Sequence, residues 1–123
     1  MADGQAALER IDQLFAAARI AHEVIWDLHR RLVVAGRADE DARELLADVT
    51  RIATVDMPAA AAEVRRLAAL WSEQDVLDPA GAVVTGRALA AEAQCAEALL
   101  ADMRARQNEV AAEFRRRLAD AGG

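Results

Sequence analysis

Apolar residues recur along this chain at helical spacing. Ile11, Ala18, Ile25 and Leu32 stand seven apart, and Leu14, Ala21 and Leu28 form a second row beside them. Together they make the three-four alternation of a packed helical seam. This pattern predicts a first helix over residues 4–35. Leu45, Val49, Ile52, Ala60, Val64, Leu67 and Trp71 predict a second over 39–73. Leu89, Ala93, Ala96, Leu100, Met103, Val110, Phe114 and Leu118 predict a third over 79–119. Strand-forming residues never alternate with polar ones over a useful length.

Two breaks separate these stretches. In "AGRADED", residues 35–41, Gly36 sits where a left-handed helix cap belongs, and Asp39, Glu40 and Asp41 suit the N-terminus of the next helix. In "EQDVLDPAG", residues 73–81, Asp78 followed by Pro79 reads as an N-cap and a first helical residue. Helices of ~30–40 residues are about 45–60 Å long, and such short connections make neighbours antiparallel. The expected structure is one all-α domain over 1–123, an elongated up-down-up three-helix bundle. Pro58 interrupts the middle helix, because it has no N–H for the carbonyl four residues back. It either kinks that helix or starts a new one behind an Asp56 cap. Leu46, Ala53, Ala60 and Leu67 keep a seven-residue spacing across it, which favours one kinked helix.

Composition narrows the function. The 123 residues are 54% hydrophobic but only 3% aromatic, so alanine carries much of the apolar content and the core should be thin and close-packed. The net charge is −6, which argues against binding nucleic acid or an anionic membrane surface. All basic side chains are arginine, a bias that fits a GC-rich bacterial genome. Cys95 is the single cysteine, so no intrachain disulfide can form and a cytoplasmic location is expected. The opening "MADGQAALER" lacks the apolar stretch of a signal peptide, and no apolar run approaches the ~20 residues of a membrane span.

The candidate chemistry gathers in "AHEVIWDLHRR", residues 21–31, which holds both histidines and one of the two tryptophans. Phe15, His22 and His29 lie beside the main seam, and Trp26 and Val33 one step further out. The apolar face of the first helix is therefore wide, and Phe15, His22, Trp26 and His29 are the expected partner-binding residues. A small-molecule or metal-binding bundle, with metal or haem ligation by His22 and His29, is a distant alternative. The pair spans ~10 Å along a helix axis, no third histidine exists, and no Glu-x-x-His pair of the di-iron type occurs. No catalytic, cofactor or metal residue is assigned. Cys95 lies mid-helix without a basic neighbour and reads as a small boundary residue. The acids at 39–44 and the arginines at 115–117 read as dipole complements and solvated faces. Gln107 falls on the apolar stripe of the last helix, where a polar residue either fixes register or partner or, as expected here, lies at a widening, wet end of the bundle.

These observations point to a non-enzymatic helical interaction module that binds a protein partner, most economically a second copy of itself. A short acidic chain of long antiparallel helices also resembles the flagellar and type III export chaperones. That resemblance implies a chaperone holding an amphipathic client helix, with "LLADMRARQNEVAAEFRRRL", residues 99–118, as the segment that serves the client.

Overall fold

The computed structural model describes residues 2–122, with side chains from Gln5 onward. The chain forms α1 (Ala2–Val34), α2 (Glu40–Arg51), a π turn (Ile52–Asp56), α3 (Met57–Leu77) and α4 (Pro79–Gly122). Because α2, the π turn and α3 follow one another without a gap, the architecture is an all-α bundle of three long helices. α4 packs along both α1 and α3, while α1 meets the middle helix mainly through α2 and the π turn.

Local chemistry explains the two connections. Gly36 adopts a φ of 71°, which glycine reaches without a Cβ clash. The Arg37 N–H donates to the Leu32 carbonyl at 2.8 Å and the Gly36 N–H to the Val33 carbonyl at 3.1 Å, the paired bonds of a Schellman ending. Asp39 then caps α2, its Oδ1 accepting from the Ala42 N–H at 2.8 Å. At the other end of the bundle a single non-helical residue, Asp78, reverses the chain. Its Oδ1 accepts from the Gly81 N–H at 3.1 Å, and Pro79 opens α4. The middle helix thus runs to Leu77, four residues beyond its expected end at 73. Asp78 terminates one helix and caps the next, so no loop is needed between them.

The irregularity in the middle helix lies one turn ahead of Pro58. The Met57 N–H reaches back five residues to the Ile52 carbonyl, so the turn holds one extra residue. Asp56 keeps helical dihedrals and makes no side-chain cap; its carboxylate instead faces Arg51 at 3.5 Å. The chain therefore continues as one helix. The extra residue resets the buried face: Ala42, Leu46 and Val49 are buried before the turn, and Met57, Ala61 and Val64 after it. A strict seven-residue step from Val49 would land on Asp56, whereas the wide turn delivers Met57. Ala53 and Ala60, which the seven-residue spacing placed on the seam, are only half-buried.

Two apolar clusters make the core. One gathers Ile11, Met57, Val64, Leu67, Leu89 and Leu100 near the α3–α4 turn. The other gathers Ile25, Leu32, Leu46, Val49, Val110 and Phe114 near the α1–α2 turn. Gln107 lies between Leu100 and Val110 in sequence, and it is wholly buried, which corrects the expectation of a wet bundle end. Its Nε2 donates to the Ala18 carbonyl of α1 at 3.2 Å, and its Oε1 accepts from Arg104 at 2.9 Å. Both ends of the amide are satisfied, so its burial carries no unpaired polar group.

Candidate functional site

The seam of α1 behaves as its spacing predicts: Ile11, Ala18, Ile25 and Leu32 are all buried. One step around the helix, Trp26 is 48% exposed although its neighbour Ile25 is 0% exposed. Val33, two turns further on the same side, is exposed as well. With His22, Glu23, Asp27, His29 and Arg30 they line a shallow hollow of about 480 Å³. Every lining residue belongs to α1, so among the described residues no other element covers this hollow.

The two histidines take different partners. The Trp26 Nε1–H donates to His22 Nε2 at 3.0 Å, one helical turn back, with the rings edge to face at 6.2 Å. That bond requires a lone pair on Nε2, so a neutral His22 carries its proton on Nδ1. Nδ1 is buried without a partner, as is Nε2 of His29. The His29 ring lies 5.9 Å from Phe114, which joins the hollow to the second core cluster. Among the described residues no three of His, Cys, Asp and Glu gather into a cluster that could hold a metal ion.

The structure divides the four expected residues between two depressions. Trp26 and His29 line the hollow on α1. Phe15 lies further along, in a groove of about 520 Å³ between α1 and the π turn–α3 segment. His22 lines both. The groove takes Met57 and Pro58 from the middle helix as apolar walls, and Arg19 and Arg65 as cationic ones. The Arg65 guanidinium stands 4.7 Å from the centre of the Phe15 ring, a cation–π distance. Arg65 reads as a solvated charge in sequence, because Phe15 and Arg65 meet only through tertiary packing. No local spacing signals that meeting.

Other sequence candidates take different roles. Cys95 is exposed rather than at a boundary. Arg117 folds back from α4 onto the start of α2, pairing with Asp41 and, at 3.4 Å, with Asp39. It also donates to Glu113 at 2.9 Å. Hydrogen bonds from Arg116 and Arg117 hold the Glu113 carboxyl down at about 2. In the 99–118 segment, Leu100, Val110, Ala111 and Phe114 are buried in the chain's own core. No helix among the described residues is long and apolar enough to cross a membrane. No protein-family model matches the chain, and neither the curated proteins nor the solved structures compared with it give a match.

Proposed function

We propose that the chain is a non-catalytic helical interaction module whose partner is a second copy of itself, docked on the Trp26 face of α1. The observation that carries this reading is the half-exposed Trp26 beside a fully buried Ile25. A tryptophan held by a hydrogen bond on an uncovered helix face is the type of anchor that dominates protein interfaces. Charge favours a second copy. Glu23 and Arg30 flank Trp26 on either side of the hollow. Glu23 has no ion-pair partner among the described residues, and Arg30 pairs only with Asp27 of its own helix. An antiparallel two-fold arrangement of α1 helices, with its axis between residues 26 and 27, sets Glu23 of each copy opposite Arg30 of the other. Val33 and Arg19 then fall at the flanks.

The export-chaperone reading has less support. The apolar stripe of residues 99–118 is spent on the bundle core, and little of it remains to offer a client.

Sedimentation velocity tests the proposal. The wild-type chain is expected to sediment as a dimer. Trp26→Ala is expected to be monomeric with unchanged helicity, its melting temperature lower only by the lost contribution of association. Glu23→Arg and Arg30→Glu should each weaken the dimer, and the two together should restore it. A monomeric wild type, or a dimer indifferent to Trp26→Ala, overturns the reading.

A further inference from the structure

The groove between α1 and α3 is a different site from the Trp26 hollow and shares only His22 with it. We propose that it binds an amphipathic carboxylate of the medium-chain fatty acid class, with the acid group on Arg65 and Arg19 and the tail against Phe15, Met57 and Pro58.

The charges give the first reason. Among the described residues eight of the fifteen arginines, Arg10, Arg30, Arg31, Arg51, Arg66, Arg106, Arg116 and Arg117, pair with carboxylates. Arg65 and Arg19 have no carboxylate within ion-pair distance among the described residues, yet both line one groove. Asp12 is the single acid lining it, so two guanidinium groups stand against one carboxylate. The Phe15 ring lies against the Arg65 guanidinium at 4.7 Å, which orients that group without using its N–H donors. A planar guanidinium so placed matches the two oxygens of a carboxylate.

Shape gives the second reason. The groove lies between α1 and the middle helix rather than on one helix, and Phe15, Met57 and Pro58 wall it from both sides. Apart from the charged residues its walls are mostly apolar, which suits a hydrocarbon tail rather than a compact polar anion. The third reason is the backbone. Ala53 and Thr54 of the π turn line the groove, and π turns recur at functional sites because the widened turn breaks regular packing. The Thr54 hydroxyl donates to the Thr50 carbonyl at 2.7 Å, so it does not compete with the arginines as a donor.

The test is calorimetric titration of the full chain with decanoate below its micellar concentration. Decanol serves as the tail-only probe and acetate as the head-only probe. Decanoate is expected to bind once per chain, about tenfold or more tighter than either, the scale of one charge-assisted hydrogen bond. Arg65→Gln should bring decanoate down to the level of decanol, and Arg19→Gln should weaken it by a smaller factor. Both side chains are exposed, and an unchanged circular dichroism spectrum checks the fold. Trp26→Ala should leave binding unaltered, which separates this site from the dimer face. The proposal is overturned if decanoate binds no tighter than decanol, if Arg65→Gln binds like wild type, or if Trp26→Ala abolishes binding.

Discussion

Deleting Val55 should be tolerated, although removing one residue from a long packed helix is normally ruinous. Each residue of an α-helix turns the chain by about 100°, so a deletion rotates everything on one side of it by that amount. The exposed Ala101 of α4 is a suitable control. Without it, one half of α4 must swing out of the core, and the less costly half carries Leu89 and Leu100, both buried. At about 1.5–3 kcal/mol per large side chain, that loss is about 3–6 kcal/mol. A typical domain has only about 5–15 kcal/mol in all. Val55 differs because the π turn Ile52–Asp56 already contains one residue more than an α-turn needs, and Val55 itself is 57% exposed. Its removal converts the turn to α geometry and leaves Val49 and Met57 seven apart, still on one face. The expected cost is below about 1–2 kcal/mol, comprising little more than relaxation of the turn and one exposed side chain. Urea denaturation followed by far-ultraviolet circular dichroism compares the two deletions directly. If loss of Val55 destabilises as much as loss of Ala101, the π turn is not what keeps α2 and α3 in phase.

Three further outcomes follow from named contacts. Gln107→Leu should stay within about 1 kcal/mol of wild type, because the Ala18 carbonyl keeps its helical partner and the half-exposed Arg104 turns to water; Gln107→Ala should cost about 2–5 kcal/mol through the cavity it opens, both read from urea midpoints. A Cβ at Gly81 would lie 2.2 Å from Asp78 Oδ2, so Gly81→Ala displaces a cap worth about 1 kcal/mol while gaining about 1 kcal/mol of helix propensity. The same change in an Asp78→Ala background keeps only the gain, and thermal melts should show it as clearly stabilising there alone. Glu113 should titrate near 2 by carboxyl nuclear magnetic resonance. Its depressed folded value means that its contribution to stability is complete above about pH 4.3, the unfolded range, and is lost as pH falls towards 2. Arg116→Gln or Arg117→Gln should move that midpoint upwards.

Much of the architecture is legible in the residue order because it depends on short-range periodicity and capping. The row Ile11, Ala18, Ile25, Leu32 names its own buried face, since residues seven apart on a helix cannot point elsewhere. Gly36, Asp39 and Asp78 mark the turns through backbone chemistry that acts within four residues. The same wheel placed Trp26 outside the seam, and exposure followed from position alone. What the order of residues leaves open are matters of rotation and of meeting between helices. One extra residue in a turn is invisible to a periodic reading. Only packing of α2 and α3 against the other helices selects Met57 over Asp56 as the buried residue. Gln107 looked like a wet boundary position because a polar side chain in a seam is costly unless paired. Its pairing depends on the Ala18 carbonyl of another helix, 89 residues away. The groove of Phe15 and Arg65 likewise exists only because two helices separated by the whole α1–α2 connection come side by side. Local sequence determines which face each helix buries. Only the tertiary structure decides which atoms meet across those faces, because side chains distant in the chain become neighbours through the joint packing of all three helices.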